Sequence, residues 1–184
     1  MGREDGQPDI HQATSGSHDN IAEHEQVLAD QQRLLGDDHP TTLLSRHNLA
    51  LRCLKGGRID EAVALLKQTL AGRVRQLGED HPSTLATRYN LAFACQSAGH
   101  PEDAMILHEQ TLTARERLLG EDHPSTLLSR HGFACACHAA GRFADAIMMH
   151  EQTLTKCMQI LGPDHPLTAT VSTSLQALRG AANS

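Results

Sequence analysis

His131, Cys135 and His138 stand at i, i+4 and i+7, so a helix running through them puts two imidazoles and a thiol on one stripe. Nitrogen and sulfur donors in that arrangement are the ligand types that hold zinc or copper. Tyr89 or His47, from neighbouring helices, would supply a fourth group. A single helix seldom closes a metal site, and the residues forty-two and eighty-four positions before Cys135, Phe93 and Leu51, cannot ligate. The competing reading of the stripe is a polar, adaptable surface with no cofactor, and it is the one the residues favour.

The other chemistry-bearing residues do not assemble a reaction centre. His39, His81, His123 and His165 each follow Asp and precede Pro; proline is favoured at the first position of a helix, so these histidines are expected to fix a turn and, with the preceding Asp, to cap the next helix. His24, His108 and His150 occupy the phase of Leu66 and are expected to be partly buried with a local hydrogen-bond partner. His150-Glu151 opens like a zinc-protease motif, but Leu154 stands where the second histidine belongs. Cys135 and Cys137 are two residues apart, which on a helix aims them about 200° apart and rules out a dithiol pair. No glycine-rich phosphate loop and no Gly-x-Ser-x-Gly elbow is present. The chain does not read as an enzyme, and no cofactor is expected.

The elements that would position these residues repeat. Asp-His-Pro recurs every forty-two residues, and Leu77-Gly-Glu-Asp-His-Pro-Ser-Thr-Leu85 returns unchanged as residues 119–127. In the first full unit, Pro40 starts a helix whose apolar residues Leu43, Leu44, Leu49, Ala50, Cys53 and Leu54 fall near helical spacing. Gly56-Gly57 ends it near Lys55. A second helix, 59–76, places Ile59, Ala62, Val63, Leu66, Leu70, Val74 and Leu77 on one face before Gly78 and Pro82 close it. A fixed period of paired helices is the signature of an α-solenoid, whose units bury apolar faces only against neighbours. The expectation is an all-α, right-handed superhelix of antiparallel helix pairs, about eight helices, with no β-sheet.

Composition agrees. The 184 residues are 39% hydrophobic, enough for one continuous core. No apolar run approaches the roughly 20 residues that span a bilayer, and the polar stretch Met1 to Asn20 has no apolar core of a secretory signal. The five cysteines include Cys53, Cys95 and Cys137 at one repeat phase, where they read as small core residues and suit a reducing, cytoplasmic setting. A net charge of -6, without basic clusters and with 2% aromatics, argues against nucleic acid.

Leu49-Ala50-x-x-Cys53, the turn at Gly57 and Ala62-x-x-x-Leu66-x-x-x-Leu70 have the spacing of the tetratricopeptide pattern, with Ala62, Ala104 and Ala146 as the small residues of the second helix. Arg46, Arg88 and Arg130 replace the usual first-helix Trp, and Cys replaces the usual Tyr. The forty-two-residue period, Asn-Leu-Ala at 48–50 and 90–92, and the Leu-Gly-x-Asp-His-Pro linker resemble the kinesin-light-chain type of tetratricopeptide repeat. That resemblance implies a concave groove lined by His47, Leu51, Leu54 and Lys55, then Tyr89, Phe93, Gln96 and Ser97, then His131, Cys135, His138 and Ala139. It implies a peptide segment or partner protein as ligand, with Asn48 and Asn90 gripping the peptide backbone; the third copy has Gly132 there. Arg46, Arg88 and Arg130 would read acidic partner side chains or, as favoured by every full repeat having both, pair with linker acids of the next repeat.

The expected organisation is a disordered tail, 1–19, and an array, 20–180, divided into a half repeat 20–36, full repeats 37–78, 79–120 and 121–162, and a terminal helix 163–180. Asn20, Gln176 and Arg179 stand at phases that are apolar elsewhere, as capping elements require. The array is therefore expected to stop at these ends and to be a monomer, with a weak dimer left open.

Overall fold

Every linker histidine opens a helix by its own ring. Nδ1 of His39, His81, His123 and His165 accepts the backbone N–H of the residue two positions on, at 3.3, 3.1, 3.1 and 3.1 Å. His39, His81 and His123 hold the extended backbone expected of an N-cap, and proline follows as the first helical residue. The preceding aspartate was expected to share this task and does not. It reaches instead to a cation at the far end of the second helix of the same repeat: Asp38 to Arg75 at 2.6 Å, Asp80 to Arg117 at 2.6 Å, Asp122 to Lys156 at 2.7 Å.

The structure, a computed structural model, describes residues 15–182, so most of the expected tail, 1–14, lies outside the described residues. Eight α-helices and no strand are among them: α1 (Ser15–Leu35), α2 (Pro40–Lys55), α3 (Ile59–Leu77), α4 (Pro82–Ser97), α5 (Pro101–Leu119), α6 (Pro124–Ala139), α7 (Phe143–Ile160) and α8 (Pro166–Ala182). The first helix begins at Ser15, inside the stretch expected to be tail; once Ile21 and Leu28 anchor a buried face, extending the helix outward adds a hydrogen bond per residue at little cost. Gly57, Gly99 and Gly141 reverse the chain between the helices of a pair at φ of 77°, 82° and 77°, a left-handed geometry that glycine adopts without penalty.

Each helix packs on the next, and the first helices of successive repeats also touch, α2 with α4 and α4 with α6. The array thus closes toward that side, and α2, α4 and α6 form its inner layer. The core is built of small residues at repeated phases. Ala62, Ala104 and Ala146, Ala50, Ala92 and Ala134, and Cys53, Cys95 and Cys137 are all buried, which lets the helices approach closely. At the last repeat Gln176 and Arg179 take the phases of Ala50 and Cys53 and are exposed, with Arg179 paired to Glu151 at 2.5 Å.

Two apolar residues expected in the core are outside it: Leu44 is 52% exposed and Leu77 42%. For Leu77 the reason is that the buried face of the second helix is partly polar. Thr69, Gly72 and Arg73 take the inward positions of the last turns of α3, so its seam runs along one side of Leu77. Arg73 donates to the Ser83 carbonyl at 2.9 Å and to the Thr87 hydroxyl at 2.6 Å on α4. Arg115 repeats this with Ser125 and Ser129 on α6, at 2.9 and 2.8 Å. At the third junction Cys157 and Val171 replace the pair, and both are buried in an apolar cluster with Leu127.

Arg46, Arg88 and Arg130 pair with acids of their own repeat or the helix just before it, not with linker acids of the next repeat. Arg46 pairs with Asp37 at 2.6 Å, Arg88 with Glu79, and Arg130 with Glu116 at 2.5 Å. The start of a first helix lies against the linker that leads into it, so that linker is within reach.

Candidate functional site

Each helix of the inner layer carries one stripe turned away from the core, exposed or half-buried at every member but Gly132, which is buried. On α2 it runs Leu44, Asn48, Leu51, Lys55; on α4, Ala86, Asn90, Phe93, Ser97; on α6, Leu128, Gly132, Cys135, Ala139. Phe93 is 53% exposed, and Asn48 and Lys55 are open to solvent while Leu51 and Leu54 are half-buried. Gln96 is half-buried; His138 and Ala139 are exposed. Sequence reasoning missed Leu44, Ala86 and Leu128, of which Leu44 is the exposed one. Its signal was the stripe itself, since it lies one turn before Asn48, but an apolar residue beside Leu43 reads as core.

A second set of residues sits behind this stripe, in the seam between layers. His47, Tyr89 and His131 share one phase, and the first and last are buried. The amide nitrogen of Asn90 donates to His47 Nε2 at 3.2 Å, so Asn90 is engaged within the fold and Asn48 alone of the two amides makes no internal hydrogen bond among the described residues. The acceptor at Nε2 puts the neutral ring's proton on Nδ1, which is buried with no partner. Burial, and then the charge of Arg73, push His47 down to about 4.

In the next repeat Tyr89 meets His108 edge-on at 5.1 Å between ring centroids, and the Arg115 guanidinium lies 5.7 Å from the Tyr89 centroid. Burial lowers His108 to about 4, helped by His131 and Arg115. Burial raises Tyr89 to about 12, with Cys135 adding and Arg115 opposing. His108 and His150 were expected to have a local hydrogen-bond partner; they are buried, and Nδ1 of each has none.

The third repeat gathers the densest donor set. Cys135 Sγ is 3.7 Å from His131 Nε2, and the His131 and His150 ring centroids are 5.1 Å apart. One ligand atom each from His131, Cys135 and His150 lie within 4.8 Å of one another. The sequence stripe paired His131 and Cys135 with His138, but His138 is turned to solvent and rests against Phe143, ring centroids 5.4 Å apart. Position i+7 lies two turns further along α6, beside Phe143 at the start of α7, whereas His150 projects from the middle of α7 into the seam beside His131. Tyr89, Cys135 and His131 are neighbours, while His47 is held by Asn90. Burial pushes the Cys135 thiol up to about 11 and His131 down from its ordinary value. His150 falls to about 4 through burial, then through His131 and His138.

Clefts at the linker junctions are lined by ion pairs already made: Asp37, Asp38, Arg46 and Arg75 line one, and Glu79, Asp80, Arg88 and Arg117 the next. Their cations are matched by acids, which leaves no net attraction for an anion.

A tetratricopeptide repeat profile matches residues 21–73, 60–117 and 106–157. The chain belongs to the tetratricopeptide repeat family. Two crystal structures of nearly identical TPR-like repeats from a putative kinesin light chain of Podosopora anserina, one a point variant, are similar to this tetratricopeptide repeat array. The variant has 32% identity and a TM-score of 0.79, the other 33% and 0.77, and each alignment covers 91% of this chain and 79% of that one. BtubC (BKLC) from P. vanneervenii shares the fold at 17% identity, with a TM-score of 0.66 over 94% of this chain and 76% of its own. No curated protein matches the chain. Tetratricopeptide repeats commonly serve as protein-interaction scaffolds, and no described helix here is long and apolar enough to cross a membrane.

Proposed function

We propose that this tetratricopeptide repeat array is a non-enzymatic interaction module that binds a peptide segment of a partner protein along α2, α4 and α6. One observation carries the reading: the inner stripe combines exposed apolar side chains, Leu44 and Phe93, with an unengaged amide at Asn48. Apolar contacts supply affinity, and an amide that both donates and accepts supplies register along a peptide backbone. Arg46 and Arg88 take no part, since both are buried against their own acids. The unit is taken as residues 20–180, acting as a monomer in the cytoplasm, where its five free cysteines would stay reduced. Nucleic acid is not a ligand in this reading, because the chain is acidic.

The test is affinity capture from native lysate with wild type beside an Asn48→Ala, Leu51→Ala, Phe93→Ala variant whose folding is checked by circular dichroism. Asn90 is left intact because it holds His47. A protein enriched on wild type and lost on the folded variant supports the groove; the same protein captured equally by both overturns it.

A further inference from the structure

We infer that His131, Cys135 and His150 form a binding site for one zinc ion, with a fourth coordination position open. The site joins two helices. His131 and Cys135, one turn apart on α6, face His150 on α7, and their donor atoms lie within 4.8 Å of one another. Tetrahedral zinc with bonds of about 2.3 Å to sulfur and about 2.0 Å to nitrogen spaces its donors roughly 3.3–3.7 Å apart. Cys135 Sγ and His131 Nε2 already stand at 3.7 Å, and because Nδ1 of the same ring is 4.0 Å from that sulfur, closure asks for rotation of the His131 ring and of the His150 side chain.

The surroundings fit a ligand set better than a core. His150 is 1% exposed and its Nδ1 has no hydrogen-bond partner, which leaves a buried ring nitrogen free to ligate; His108 shares that state, so what sets the third repeat apart is the company His150 keeps. The three equivalent positions read His47, Leu51, Leu66 in the first full repeat and Tyr89, Phe93, His108 in the second. Only the third repeat places a donor suited to zinc at every one. Cys135 is half-buried where the other two are buried, so the ion would enter from the inner face and keep its open position there, for water or another ligand. Binding breaks the Cys135 S–H bond, releases that proton to solvent and forms a zinc–thiolate bond, while each imidazole contributes a lone pair as a neutral ligand.

Cobalt is the spectroscopic probe, added to the purified full chain. One equivalent of Co2+ is expected to give the intense visible bands of a tetrahedral ion together with thiolate-to-cobalt charge transfer, and one equivalent of Zn2+ to erase both. Cys135→Ser, a near-isosteric change, should lose the charge-transfer band and bind zinc at least about tenfold more weakly; His150→Gln should weaken it comparably. His138→Ala should retain both signals. Zinc should also raise the Tm of wild type and not that of Cys135→Ser, a comparison that holds even if His150→Gln fails to fold. No tetrahedral cobalt spectrum at one equivalent, or zinc binding unaffected by Cys135→Ser, overturns the site.

Discussion

Tyr89 leaves Gly132 no room for a side chain. A Cβ at Gly132 would lie 2.8 Å from Tyr89 Cε2 and 2.7 Å from His108 Cε1. In the preceding repeat the same contact is made by His47 and Asn90, which hydrogen-bond. The third copy lacks the expected amide because a phenol and an imidazole fill its place.

Gly132→Ala therefore inverts the usual rule. A helical Gly→Ala change generally stabilises by about 1 kcal/mol; here overpacking against two buried rings should destabilise by about 1–3 kcal/mol. Urea unfolding should show the midpoint falling with the slope unchanged. Tyr89→His and His108→Leu together with Gly132→Asn, which copy the contact between the first two full repeats, should restore most of the loss.

The junction at Arg73 and Thr87 makes a double-mutant prediction. Thr87→Val alone strands one N–H of a buried guanidinium and should cost about 1–3 kcal/mol. Arg73→Cys with Thr87→Val recreates the apolar pair found at Cys157 and Val171. The double variant should be more stable than the sum of the two single variants by at least about 0.5 kcal/mol.

His47 gives the array a defined acid sensitivity. Its folded-state value of about 4 lies below the ordinary 6.5, so in the window between them the unfolded chain binds a proton that the folded chain does not. Stability is then full above about pH 6.5, falls as pH drops toward 4 and levels off below it, a loss of up to about 3 kcal/mol for one such group. The facing groups, Arg73 and the Asn90 amide, do not titrate in that range. In His47→Leu, the fall in Tm between pH 7.5 and pH 4.5 should be smaller than in wild type, though not absent, because His108 and His150 are depressed in the same direction.

Helix bounds were largely legible because their causes are local. Proline at the first position and glycine after the last act within a few residues, and α2 spans Pro40–Lys55 as its sequence indicates. Asp38 was wrongly given a share in the N-cap for a related reason: aspartate is the commoner cap, and only the turn's backbone shows that His39 Nδ1 alone reaches Thr41 N.

The donor set was half legible. Helical spacing relates residues within one helix, so His131 and Cys135 could be joined from sequence, and His138 was drawn in by the same arithmetic. It is silent about which residue of another helix arrives opposite, and His150 reaches the pair only because α7 packs on α6.

The repeat period, the number and pairing of helices and the small residues that let them stack can all be read along the chain, since each follows from local turn chemistry and periodicity. Which polar residues the seams absorb is set by the packing of one helix on another. Thr69, Arg73 and His150 are buried and Leu44 is exposed because burial depends on where neighbouring helices meet; Arg73 is satisfied across its seam by Thr87, Thr69 by the Leu65 carbonyl of its own helix, and His150 Nδ1 by neither.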